Sequence, residues 1–158
     1  MPDRTRINNI VFIVDLSGSM TEGAKLRVVI NLIKTVLQTA ELGLYPGGDF
    51  SFRIVYITEK LEENSINDGY EIPEPSAFGG TFNEDALADY LAAHSDGQEV
   101  FFLFSDMPHD TSAVNRVFTI LVGDEVSPDK FPQTTYSAET FPSLWQFVAE
   151  EAQEGASS

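Results

Sequence analysis

The stretch Ile10-Val11-Phe12-Ile13-Val14-Asp15-Leu16-Ser17-Gly18-Ser19 runs from a continuous apolar segment into a turn that carries one carboxylate and two hydroxyls. The apolar segment predicts a buried strand, and the helical pattern after Gly23 places the turn at the carboxyl end of that strand. In open α/β sheets, ligands bind at this edge. Asp15, Ser17 and Ser19 all offer hard oxygen atoms, which suit Mg²⁺ or Mn²⁺ better than they suit a metal that prefers thiolates.

Two later segments add oxygen donors in a similar context. Gly79-Gly80-Thr81 comes just before a helix-patterned stretch, and the paired glycines allow the backbone to approach another loop closely. Asp106 follows the apolar run Val100–Phe104, which predicts another buried parallel strand. Because parallel strands end at the same edge of a sheet, we expect Asp106 to lie on the same edge as Asp15.

Each segment also has a purely structural interpretation. Ser17 or Ser19 would then be the N-cap of the first following helix, and Thr81 or Asn83 the N-cap of the later one. Asp106 would stabilise a turn before Pro108. The occurrence of all three segments in this order favours one shared site over three separate coincidences.

The sequence resembles a von Willebrand factor type A domain with a complete metal-ion-dependent adhesion site, or MIDAS. The family pattern is Asp-x-Ser-x-Ser, then a Thr on a glycine-rich loop, then an Asp after a later core strand. The matching residues here are Asp15, Ser17, Ser19, Thr81 and Asp106. The form Asp-x-Ser-Gly-Ser-Met is similar to that of the small cytosolic and prokaryotic members, and the likeness extends from about Arg6 to Glu151.

The resemblance implies an α/β fold with a doubly wound, mostly parallel six-stranded sheet flanked by helices. The implied strand order is 3-2-1-4-5-6, with one antiparallel edge strand. The five matching residues would hold a Mg²⁺ ion, with Mn²⁺ or Ca²⁺ as alternatives, and Asp15 and Asp106 would act largely through waters. A carboxylate from an Asp or Glu of a protein partner would complete the coordination shell.

The resemblance also implies a cellular setting. Small relatives act as subunits or adaptors of larger cytosolic assemblies, beside AAA+ ATPases of the MoxR type or in stress-resistance and defence systems. In the family, ligand binding can be coupled to movement of the last helix, which corresponds here to Phe141–Ala152.

Two other functions stay open from the sequence. The ion could serve only to tie loops together in a structural or regulatory subunit, or the chain could be a Mg²⁺-dependent phosphohydrolase. The chain has no cysteine, and its two histidines are His94, at a predicted helix end, and His109, in a turn three residues past Asp106. These residues offer no nucleophile–base pair, so we predict that the chain is not an enzyme.

The composition is that of an acidic globular protein. The 158 residues are 42% hydrophobic, and 25 acidic residues against 9 basic ones give a formal net charge of −16. Such a charge repels phosphate backbones and anionic lipids, so we expect neither nucleic acid nor a membrane as a partner. No apolar stretch near the start is long enough for a signal peptide or a membrane span, so we expect a cytoplasmic location.

The hydrophobic pattern predicts one domain over residues 1–152 and a frayed tail over residues 153–158. Strands are predicted at Asn9–Val14, Phe50–Thr58, Tyr70–Ile72, Glu99–Phe104, Val117–Val122 and Thr134–Tyr136. Helices are predicted at Gly23–Ala40, Asn83–Ala93 and Phe141–Ala152, with a short helical segment at Thr111–Asn115. The strand at Tyr70–Ile72 is polar enough to be the antiparallel edge.

Overall fold

The strands and helices come from a computed structural model. It describes residues 9–21, 24–41, 51–66, 72, 79–94, 99–106, 117–122, 135–137 and 140–146. The strands are β1 (Asn9–Asp15), β2 (Ser51–Ile57), β3 (Leu61–Ile66), β4 (Glu99–Ser105), β5 (Val117–Leu121) and β6 (Thr135–Ser137). The helices are α1 (Lys25–Glu41), α2 (Glu84–Ala93) and α3 (residues 141–146), and a 3₁₀ turn spans Gly18–Thr21.

Strand β1 lies inside a mixed sheet. It pairs in parallel with β2 on one side and with β4 on the other, and β4 pairs in parallel with β5. Strand β2 pairs with β3 in the antiparallel sense. The predicted α/β class and the order 3-2-1-4-5, with one antiparallel pair, are therefore confirmed. The three residues of β6 pair in parallel with β5.

The two faces of the sheet are covered by different helices. Ile10, Phe12 and Val14 of β1 pack in one cluster with α1 and α3, whereas Val11 and Ile13 pack in a second cluster with α2. Because helices cover both faces, all five of these side chains are buried. This arrangement explains why the strand reads as a continuous apolar run instead of an alternating one.

The antiparallel edge strand is β3, so the prediction that Tyr70–Ile72 forms this edge is wrong. Ile72 lies outside any strand, and Tyr70 and Glu71 lie outside the described residues. Strand β3 follows β2 through a tight connection in which the Thr58 amide donates to the Lys60 carbonyl, 2.9 Å away. Four of the six residues of β3 are polar, so no alternation of apolar and polar residues marks this strand in the sequence. Its position is set instead by its pairing with β2.

The helices agree with the predicted ones apart from their ends. Helix α2 begins one residue later than predicted because Asn83 is its N-cap, and the Asn83 side chain accepts a hydrogen bond from the Ala86 amide at 3.0 Å. Phe141, Leu144 and Trp145 of α3 are buried, as predicted. The remaining parts of the prediction for residues 111–115 and 147–158 lie outside the described residues. Among the described helices, none is long and apolar enough to cross a membrane.

Candidate metal centre

The first part of the candidate site is the point where β1 and β4 end side by side. Val14 pairs with Phe104, so Asp15 and Ser105, the last residues of β1 and β4, lie side by side at the carboxyl edge of the sheet. The Ser105 hydroxyl donates to Asp15 Oδ2 at 2.6 Å, and both residues have no exposed surface. A carboxylate is thus held in a fixed orientation at the carboxyl edge of the sheet.

The turn after β1 is built around the other oxygen of the same carboxylate. Asp15 Oδ1 accepts a hydrogen bond from the Ser17 amide at 2.8 Å, which is the geometry of an Asx turn. The Met20 amide then donates to the Ser17 carbonyl at 2.9 Å and continues the chain into the 3₁₀ turn. Ser17 is buried in this turn. The backbone of Ser19 belongs to the same turn, and its side chain lies outside the described part of the chain.

The glycine-rich loop is tied to this turn by its backbone. The Gly18 amide donates to the Gly80 carbonyl at 3.0 Å, and the Gly79 amide donates to the Leu16 carbonyl at 2.8 Å. Gly79 and Gly80 have φ values of 84° and 83°, in the left-handed region that favours glycine. Thr81 follows directly, with its Cα about 3.8 Å from that of Gly80, and its side chain is exposed. The loop therefore brings Thr81 beside the turn after β1.

The second carboxylate of the site has two unlike oxygens. Asp106 Oδ2 accepts from Lys25 Nζ at 3.0 Å. Asp106 Oδ1 is buried and has no hydrogen-bond partner among the described residues. A buried carboxylate oxygen without a partner is costly, and a cation is the partner that suits it.

Two residues of this site, Ser105 and Lys25, are absent from the sequence prediction. Lys25 is the first residue of α1, where a positive charge opposes the helix dipole. That unfavourable position is a signal that could have pointed to a local anionic partner. Ser105 carries no comparable signal, because a serine at the end of a strand can have many roles that do not involve a metal site.

The donor set fits a hard divalent cation. The structure brings Asp15, Ser17 and Asp106 to one edge of the sheet and places the Thr81 loop next to them. All the side-chain donors are oxygen atoms, the ligand type that Mg²⁺ and Ca²⁺ take. Within the described residues there is no group of three or more His, Cys, Asp or Glu that could hold a metal. The two carboxylates would therefore need hydroxyl, backbone carbonyl or water oxygens beside them to complete a coordination shell.

His94 lies far from this edge of the sheet. It is the C-cap of α2, and its Nδ1 is 2.9 Å from Glu99 Oε1. Glu99 pairs with Asn9, six residues before Asp15, so His94 lies about 20 Å from the site along the strand. The prediction that His94 lies at a helix end is confirmed, whereas His109 lies outside the described residues.

A polar cluster surrounds His94 at the amino edge of the sheet. Arg53 is paired with both Glu63 and Glu99, and the Tyr90 hydroxyl donates to Glu63 Oε2 at 2.6 Å. Burial, followed by the hydrogen bond to Glu63, raises the pKa of Tyr90 well above its usual range. Through these contacts, the buried side chains of Tyr90 and Glu99 have hydrogen-bond or ion-pair partners beneath α2.

The comparisons with known proteins identify the fold. A scan against protein-family models and a search of curated proteins found no match. Among solved structures, an aerotolerance-related membrane protein from Bacteroides fragilis matches with a TM-score of 0.63 and 13% identity over 93% of this chain and 99% of its own. A von Willebrand factor type A protein from Catenulispora acidiphila matches with a TM-score of 0.55 and 12% identity over 94% of this chain and 43% of its own. The fold is that of a von Willebrand factor A domain.

One match bears on the metal. Proximal thread matrix protein 1 from the mussel byssus, in a structure with a zinc-occupied MIDAS motif, matches with a TM-score of 0.57 and 12% identity. The match covers 99% of this chain and 47% of that chain. The present chain thus spans less than half of the byssus and Catenulispora proteins. A metal-binding edge is compatible with this fold, and the identities are low enough that the likeness concerns the fold alone.

Proposed function

We propose that the chain is a metal-dependent protein–protein interaction module. Its site would hold Mg²⁺ through Asp15, Ser17, Ser19, Thr81 and Asp106. An Asp or Glu carboxylate of a protein partner would complete the coordination shell. The observation that carries this proposal is the buried Asp106 Oδ1, which has no hydrogen-bond partner among the described residues and lies at the edge where Asp15 ends β1.

The charge of the site supports an anionic ligand. The carboxylates of Asp15 and Asp106 would balance the two positive charges of the ion, and the ammonium of Lys25 lies 3.0 Å from Asp106. Even with the ammonium displaced from Asp106, the loaded site would carry no net negative charge, so it would not repel an incoming carboxylate. The chain as a whole has a net charge of −16. That charge favours a partner whose surface around the acidic residue is neutral or basic.

A role for the ion as a structural tie between loops has less support. The turn after β1 and the glycine-rich loop are already joined by two backbone hydrogen bonds, from Gly18 to Gly80 and from Gly79 to Leu16. An ion is thus not needed to hold these two loops together. This geometry favours an ion that is used for recognition.

We also propose that the chain has no enzymatic activity of its own. The support is the position of His94, which is bonded to Glu99 at the opposite edge of the sheet from Asp15. The sequence resemblance is the support for a larger assembly around the chain, either a MoxR-type AAA+ ATPase or a stress-resistance or defence system. The cytoplasmic location stays a prediction from the sequence.

The proposal is tested by capture of partners from native lysate, in Mg²⁺ and in EDTA. The bait would be the wild-type chain, with Asp106→Asn as the site variant and Asp89→Asn as a control of equal charge change on the exposed face of α2. We expect a protein that is retained by wild type and Asp89→Asn in Mg²⁺ only. Equal retention in EDTA, or by Asp106→Asn, would contradict the proposal.

A further inference from the structure

The contact between Lys25 and Asp106 joins the start of α1 to the end of β4. The Nζ–Oδ2 distance is 3.0 Å, and the side chains are only 14% and 6% exposed. The ammonium therefore occupies one side of a carboxylate whose other oxygen is the buried Oδ1 without a described partner. Asp106 is also one of the five residues proposed to hold the metal.

We propose that the Lys25 ammonium and a divalent cation compete for Asp106, so that Lys25 sets the metal affinity of the site. This inference rests on the proposed function. In the absence of metal, the ammonium neutralises a carboxylate whose burial would otherwise be costly. When a divalent cation binds at the same carboxylate, the Lys25 ammonium and the cation repel each other, and this repulsion is strong because the site is poorly solvated.

The lysine side chain is suited to such an exchange. Its charge is a compact ammonium on a flexible four-carbon stem, so it can leave Asp106 without movement of the α1 backbone. The ion pair stabilises the metal-free state, and any interaction present only in that state lowers the apparent affinity for metal by the same free energy. Removal of the charge at position 25 should therefore have two opposite effects, a less stable metal-free protein and tighter metal binding.

The test is calorimetric titration of the full chain with Mg²⁺ and with Mn²⁺, together with thermal melting in EDTA. Lys25→Met and Lys25→Gln remove the charge, and Gln keeps a hydrogen-bond donor for Asp106 if the Met variant does not fold without metal. Lys25→Arg keeps the charge. Lys34→Met removes one positive charge from an exposed position on the same helix. It controls for the long-range electrostatic effect of changing the net charge of the protein by one.

We expect Lys25→Met or Lys25→Gln to bind the ion about tenfold more tightly or better and to melt at a lower temperature in EDTA. Lys25→Arg and Lys34→Met should bind within about twofold of wild type. Saturable binding by wild type that is unchanged or weakened in both charge-removing variants would overturn the competition while leaving the metal site in place. Failure of every variant to bind a divalent ion would overturn the proposed function and the competition with it.

Discussion

Ser105 holds the carboxylate of Asp15 across two neighbouring parallel strands, with Oγ and Oδ2 2.6 Å apart. The two residues are 90 positions apart in the sequence and have no exposed surface. Ser105 at the end of β4 thus fixes the orientation of the carboxylate at the end of the neighbouring strand, β1. The orientation of Asp15 in the candidate site therefore depends on a residue outside the motif.

Replacement of Ser105 by alanine should destabilise the fold and loosen the site. The change removes a hydrogen bond to a buried carboxylate, which we expect to cost about 1–3 kcal/mol of unfolding free energy. Urea denaturation of Ser105→Ala would measure the loss, with Ser51→Ala on the exposed start of β2 as the control. A loss for Ser105→Ala no larger than that for Ser51→Ala would show that the contact contributes little.

The two glycines of the loop should respond similarly to alanine. Both have φ near 84°, which costs a residue with a Cβ about 1–2 kcal/mol. A Cβ at position 80 would also meet Glu59 Oε2 at 2.6 Å, whereas one at position 79 would meet no atom within 4 Å. Glu59 is exposed and can rotate away, so we expect Gly80→Ala to be only slightly worse than Gly79→Ala.

Chemical denaturation of both glycine variants checks this expectation. Unfolding free energies equal to that of wild type would mean that the loop can relax, and that its backbone bonds to Leu16 and Gly18 do not require the left-handed conformation.

Thr81 and Asp106 should contribute differently to metal and to partner. Thr81 is exposed on a loop separate from the turn after β1, so we expect Thr81→Ala to weaken partner binding more than metal binding. Asp106 is buried and supplies a negative charge to the metal site, so Asp106→Ala should weaken both metal binding and partner binding. Affinities for the captured partner in Mg²⁺ and in EDTA measure the difference, with Thr35→Ala on the exposed face of α1 as the control. Metal binding reduced equally by both variants would contradict this division.

Tyr90 should make the fold sensitive to alkaline pH. Because burial and Glu63 raise its pKa in the folded state, the folded protein keeps the phenolic proton at pH values where the unfolded chain loses it. Stability contributed by Tyr90 is therefore complete below the unfolded pKa of about 10 and declines as pH rises above it. Urea midpoints between pH 8 and pH 11 should fall more steeply for wild type than for Tyr90→Phe. Parallel declines would mean that Tyr90 does not contribute to the pH dependence.

The sequence predicts the parts of this molecule that depend on local patterns. Continuous apolar runs before Asp15 and Asp106 identify two strands buried on both faces, and parallel pairing then brings both residues to one edge. Strand β3 was not predictable in this way, because its polar residues are positioned by a neighbour. The position of Lys25 at the start of α1 indicates a nearby anionic group, but the identity of that group was not predictable, since the contact with Asp106 spans 81 positions and depends on the exact placement of α1.

The most direct test of the central claim is calorimetric titration of Mg²⁺ into the wild-type chain, Asp15→Ala and Asp106→Asn. Asp89→Asn serves as the control, and circular dichroism would confirm that each variant is folded. We predict one saturable site in wild type and in Asp89→Asn, and no saturable binding in Asp15→Ala or Asp106→Asn. Failure of wild type to bind, or an unchanged isotherm in a folded Asp15→Ala or Asp106→Asn variant, would contradict the account.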